Sequence, residues 1–342
     1  MNYWRIVMLL LFCKFINGLT MANNLHKEPQ KNLALSNLIL SKKDNINTII
    51  KTKTRGFIKI IRPQNIIPTL FLCFTGGWIV NPSIQSLFNS PKFIVSSINA
   101  VTVMSSSMII NDIFDLEIDK INNPKRPLVT GEITRKEAFF FNCFLISLTE
   151  LLSFKYLASN SILFVNLALL NVTIYTPILK RILFIKNLSC AFLVSFSLFF
   201  SGLACINSNI PLNNKSNSLL WIAARTIFFG SLFNELLLDM HDYEGDKENN
   251  IQTIPVVFGL NNSWVLATLI MKINIVWNSF HIMYLFNFKI GIFLLLILSP
   301  MLYNLRTIKK LGFSKTSISN AINKSNIPLF LLLIYLCILQ KI

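Results

Sequence analysis

Apolar runs of helical length recur along this chain, and they decide its fold class before any motif is read. They lie near residues 64–81, 93–113, 137–155, 160–178, 188–206, 218–238, 263–284, 288–304 and 327–341. Each approaches the roughly 20 residues that an α-helix needs to cross about 30 Å of hydrocarbon. Helices satisfy their own backbone groups in lipid, where water cannot. The expectation is an all-α, polytopic membrane protein, with about nine transmembrane helices bundled around a central cavity. Composition agrees, because only 14% of residues are charged and 53% are hydrophobic. A soluble globule needs roughly 25% charge to cover its surface, and a disordered chain needs far fewer apolar side chains.

Charge then orients the bundle. Lys and Arg outnumber Asp and Glu by 32 to 15. This excess does not read as a nucleic-acid surface, because it sits in short loops between apolar runs. One side carries Lys51, Lys53, Arg55, Lys59, Arg62, then Lys120, Lys125, Arg126, Arg135, Lys136, then Lys180, Arg181, Lys186. Lys247, Arg306, Lys309, Lys310, Lys315 and Lys324 fall on that side too, while the other has Lys92, Lys155, Lys215 and Lys289. The asymmetry holds at every crossing, so the basic side faces cytosol, stroma or matrix and meets anionic membrane lipids. Residues 1–18 read as a signal-like targeting segment and 19–56 as a polar, basic presequence or tail. Residues 57–342 read as the membrane domain. Import into an organelle follows as an expectation, with a plastid membrane the first choice. The six cysteines are scattered, which supports neither a disulfide framework nor a zinc site.

Acidic residues are scarce, and two groups stand out at helix ends on the basic side. Asp112, Asp115 and Asp119 recur at i, i+3, i+7, and Asp239, Asp242 and Asp246 repeat that spacing, with Glu235 one turn earlier. On a helix this spacing puts three like charges on one face, where they repel. Carboxylates without His or Cys suit a hard ion such as Mg²⁺, which binds through carboxylates and substrate phosphates. Two such faces across a cavity could hold Mg²⁺ and a diphosphate. The plainer alternative is a pair of solvated helix ends partnered by loop lysines. Between two prolines, Lys125 and Arg126 follow the first group, and Arg126 is a candidate phosphate fork. Arg62, Asn65, Tyr175 and Lys180 lie at span ends on the same side.

Together these residues resemble the UbiA superfamily of intramembrane prenyltransferases. Asn111 to Asp119 is similar to its NDxxDxxxD motif, continuing into Asn122, Pro124, Arg126, Pro127 and Gly131. Asp242 to Asp246 is similar to the second, DxxxD motif. Tyr175 to Lys180 resembles the family's Tyr/Lys loop, with Asn187 following, and Arg62 to Asn65 resembles the start of its first helix. The likeness runs from about residue 57 to 341. It implies an isoprenyl diphosphate of the geranylgeranyl or phytyl class, held through Mg²⁺ and ionised to an allylic cation. A lipophilic or aromatic acceptor captures that cation. Carried over by position, Asp112, Asp115, Asp119, Asp239, Asp242 and Asp246 would hold metal. Asp112, Asp115, Asp242, Tyr175 and Lys180 would be catalytic, and Asn65, Asn111, Arg126, Lys180 and Asn187 would bind substrate.

Asp239 to Asp246 and Lys125-Arg126-Pro127 look most like digeranylgeranylglyceryl phosphate synthases, whereas Gln252 to Gly259 looks closer to chlorophyll synthases. Leu238 and Asn234 stand where basic residues are common, and Asn249-Asn250 replaces a Gly-containing turn. Two other functions use the same residues: a terpene cyclase of this family, working without an acceptor, and a transporter with buried carboxylates. Transporters tend to place such groups near the bilayer midplane, and here they lie at span ends. Glu150, Lys272, Asn274, Asn278 and His281 are polar residues within spans that could line a cavity.

Overall fold

Each apolar run folds as a helix. The computed structural model describes residues 48–206, 214–249 and 251–342. The signal-like segment and most of the presequence region lie outside these, although residues 48–60 are helical. Among the described residues, nine helices follow the nine apolar runs. They are α1 (Ile66–Val80), α2 (Pro91–Phe114), α3 (Arg135–Tyr156), α4 (Ser159–Tyr175), α5 (Ile185–Cys205), α6 (Asn214–His241), α7 (Leu260–Leu285), α8 (Phe288–Lys310) and α9 (Lys315–Leu339). Eight belong to helical stretches long and apolar enough to cross a membrane, and α4, with 17 residues, is shorter.

The last helix starts well before its expected beginning at 327, or at the alternative around Ser325. It begins at Lys315, where the Ser314 hydroxyl accepts from the Ser317 N–H and caps the first turn. Ser, Asn and Lys between 315 and 326 hide this half from a hydropathy reading. Its inner face, Ile318, Ala321 and Ser325, is nevertheless buried.

The helices close a ring in which each packs on the next, and α9 returns to α1. Helix α5 also packs on α1 and α2, which brings it inward. Lipid gives helices little hydrophobic reason to associate, so small residues and polar bonds hold them. Along α2, Asn99, Thr102 and Ser106 face α3. Asn99 donates to Ser153 at 2.8 Å, Thr102 meets Thr149 at 2.6 Å, and Ser106 donates to Asn142 at 2.6 Å. Each such bond contributes about 0.6 kcal/mol in a membrane. Between α1 and α5 the contact is backbone on backbone, since a Cβ added at Gly76 would lie 1.9 Å from the Leu198 carbonyl oxygen.

Gly76→Val should therefore force α1 and α5 apart and lower the thermal unfolding temperature in detergent. The loss should reach at least the ~1–3 kcal/mol typical of overpacking. Gly230→Ala, whose Cβ would meet nothing closer than 3.5 Å, should unfold near the wild-type temperature.

Candidate active site

Both acidic groups sit where a membrane helix breaks. Helix α2 ends at Phe114, Asp115 takes φ −88°, ψ 9°, and a short helix restarts over Leu116–Asn122. Helix α6 ends at His241, Asp242 takes φ −91°, ψ 5°, and another short helix runs over Tyr243–Glu248. The middle acid of each triplet thus occupies the junction. Backbone bonds from Asp119 N to Asp115 O and from Asp246 N to Asp242 O carry the helical register across each break.

The carboxylates do not share one face as a single helix would have them. Asp112 and Asp119 converge: Arg126 Nη1 donates to Asp112 Oδ1 at 2.8 Å and also to Asp119 Oδ2. Arg62 Nη2 adds a second bond to Asp112 Oδ1 at 2.9 Å. Asp115 turns away and meets Lys180 Nζ at 2.5 Å. In the second group Asp239 takes Lys186 Nζ at 2.7 Å and Asn187 Nδ2 at 2.9 Å, while exposed Asp242 meets His241 Nδ1 at 2.7 Å. Asp112, Asp119 and Asp239 are buried. Five of the six aspartates are paired with basic side chains, as the plainer sequence reading had it, but several pairs are buried rather than solvated. Among the described residues no three acidic, His or Cys side chains come together so as to hold a metal ion. Burial pushes the Asp246 carboxyl above its ordinary value; Lys186 opposes that push, and Asp239 and Asp242 add to it.

One segment joins the two groups. Thr176 donates to Asn111 Oδ1 at 2.5 Å, Lys180 reaches Asp115, and Lys186 and Asn187 reach Asp239. Asn187 is fully buried, and its Oδ1 has no hydrogen-bond partner. Both acidic groups therefore lie at the same end of the bundle. Backbone strain flanks them: Arg62 has φ 51° and Phe184 has φ 67°, left-handed values that cost non-glycine residues about 1–3 kcal/mol.

An apolar cavity opens just inside this polar cluster. It measures about 490 Å³ and is lined in part by Met108, Cys190 and Glu235. Each of these lies four residues, one helical turn, inward from Asp112, Lys186 and Asp239 respectively. A cavity of about 530 Å³ shares Pro68, Leu72, Val194, Asn234, Glu235 and Asn326 with it. A third, polar pocket of about 530 Å³ is lined by Lys59, Arg62, Lys125 and Arg126 around Asp112. Asn65 lines the first cavity, and Tyr175 accepts from Cys190 Sγ at 3.3 Å beside it rather than touching the acids. Lys186 stands in no motif that marks it in the sequence, and Thr176, inside the Tyr175 to Lys180 loop, carries no mark there as the partner of Asn111. Asn278 and His281 line none of these cavities and bond to Arg225 instead.

Residues 69–321 match the UbiA prenyltransferase family. The chain belongs to this family. Digeranylgeranylglyceryl phosphate synthase of Methanosphaera stadtmanae is 29% identical over 67% of this chain and 81% of its own length. That of Sulfurisphaera tokodaii is 30% identical over 69% and 81%. A solved digeranylgeranylglyceryl phosphate synthase structure superposes with a TM-score of 0.68 at 23% identity, covering 84% of this chain and 98% of that one. A UbiA homologue from Archaeoglobus fulgidus, bound to DMAPP and Mg²⁺, gives a TM-score of 0.61 at 17% identity, covering 84% and 99%. At those identities the structural likeness speaks for the fold alone. The relatives named are archaeal and lend no support to a plastid location or a phytyl donor.

Arg126 neutralises two buried carboxylates at once, so Arg126→Ala should destabilise the protein by about 3–5 kcal/mol, as stranded buried charges do. Lys120→Ala breaks only the exposed pair with Glu117 and should change stability by less than about 0.5 kcal/mol. Thermal unfolding of the two variants in detergent measures the contrast.

Proposed function

We propose that this chain transfers a geranylgeranyl-class group from its diphosphate to the hydroxyl of a glyceryl phosphate lipid, forming an ether. One observation carries the reading: a single segment, Thr176 to Asn187, ties both acidic groups together at the mouth of an apolar cavity. The names of the relatives support the substrate class. Asn234 and Leu238 stand where cations are common. The pocket of Lys59, Arg62, Lys125 and Arg126 offers other cations for an acceptor phosphate.

The donor set suits Mg²⁺: carboxylates from both groups and the unpartnered Asn187 Oδ1 are hard oxygen ligands. Asp112, Asp115, Asp119, Asp239, Asp242 and Asp246 would hold it. When bound it supplies positive charge against the diphosphate and eases that group's departure. Lys180, Lys186 and Arg126, now on carboxylates, then have phosphate oxygens to bind instead. The C1–O bond of the donor breaks with its electron pair leaving on the diphosphate, and the acceptor oxygen bonds to C1. Glu235, which lines both apolar cavities, is placed to take the acceptor's proton. The apolar walls around Leu72, Val103 and Phe196 exclude water from the allylic cation. Tyr175 and Asn111 act as positioning residues, and Asn65 lines the donor's path.

Asp115→Ala and Asp242→Ala should each abolish turnover while leaving the protein folded in the membrane; wild-type rates in either would remove the assignment. EDTA should stop the reaction and added Mg²⁺ restore it. Product analysis with labelled geranylgeranyl diphosphate tests the acceptor. A glyceryl phosphate lipid should be prenylated, and chlorophyllide, homogentisate and hydroxybenzoate should not. A cyclised product without acceptor would contradict the transfer.

A further inference from the structure

Arg225 is a cation inside a membrane helix with no anion to match it among the described residues. It lies 11 residues into α6, about 16 Å from the helix start and about 21 Å short of Asp239, towards the leaflet away from the acids. Its Nε donates to Asn278 Oδ1 at 2.8 Å, and its Nη2 lies 3.0 Å from His281 Nδ1. A guanidinium cannot accept, so His281 Nδ1 accepts and the imidazole is neutral. The guanidinium also lies over the Trp277 ring, 4.2 Å from its centre. None of these partners carries negative charge, and the described residues form no ion pair with Arg225. Among the described residues, the acidic side chain that shares this half of the bundle, Glu150, is on α3, whose neighbours are α2 and α4.

A charge at this depth is expensive unless an anion reaches it. The remaining guanidinium hydrogens have no protein partner among the described residues. His281 lies four residues from the end of α7, so the side chain leans about one turn from the far membrane surface. There Lys215 stands over Phe286 at 4.3 Å. Trp221 of α6 and Trp277 of α7 are half exposed. A planar fork between helices, rimmed by aromatic rings and a second cation, matches a phosphate diester with acyl chains.

We propose that the α6–α7 seam holds the phosphate of an anionic phospholipid from the leaflet opposite the acidic site. Arg225 forks the phosphate, His281 and Asn278 aim the guanidinium, and Lys215 supplies the outer positive charge. Native mass spectrometry of the full chain in detergent tests this, after incubation with phosphatidylglycerol, phosphatidylcholine or inorganic phosphate. The wild type should retain one phosphatidylglycerol at least tenfold over phosphatidylcholine, with excess inorganic phosphate failing to displace it. Arg225→Gln should lose that preference, and Lys272→Gln, which removes a cation of α7 instead, should keep it. Equal retention of phosphatidylcholine by the wild type overturns the proposal whether or not the variant folds. Displacement by inorganic phosphate, or equal loss in Lys272→Gln, overturns it as well.

Discussion

Carboxylates held at the edge of a low-dielectric bundle must be neutralised, and most of this site follows from how the chain does so. Three acids are buried, and each is bonded to an Arg or Lys: Asp112 and Asp239 to cations some fifty residues away in sequence, Asp119 to Arg126 in the loop that follows it. Removing one partner of such a pair is costly because the stranded charge stays buried. The pairs therefore fix the segments that carry them, and those segments define the mouth of the cavity. Under the proposed function, the same carboxylates would trade these cations for metal ions when a diphosphate arrives to receive the Arg and Lys side chains.

The helical ring serves this arrangement. Helix α5 packs inward on α1, α2 and α6, and its first turn carries Lys186 and Asn187 to Asp239. Close backbone contact at Gly76 and the polar seam from Asn99 to Ser106 hold the surrounding helices without hydrophobic help. The break at Asp115 then lets the middle acid of the first triplet turn to Lys180, apart from Asp112 and Asp119, which share Arg126. That relieves the repulsion an unbroken helix would impose.

The ring was legible in the sequence because hydropathy at helical length leaves a membrane chain few options. The start of α9 was not, since Ser, Asn and Lys fill its first three turns and only one face of them is buried. The acidic triplets announced themselves by repeated spacing, and their chemistry by the absence of His and Cys. Their breaks carried no signal, because neither Asp115 nor Asp242 is flanked by a proline that would mark one. The pairing of Lys186 with Asp239 and of Thr176 with Asn111 depends on long-range folding, which no local pattern encodes. Arg225 is hidden for another reason: a single charge in a long apolar helix barely moves its hydropathy, although its lack of an anionic partner makes it conspicuous in three dimensions.

The account turns on both acidic groups binding the same metal and diphosphate. Titration of Mn²⁺ followed by electron paramagnetic resonance, with and without a non-hydrolysable allylic thiodiphosphate, tests this most directly. The analogue should tighten Mn²⁺ binding at least tenfold, and Asp115→Asn or Asp242→Asn should each erase that gain. Mn²⁺ affinity that ignores the analogue, or that survives the loss of either carboxylate, would contradict it.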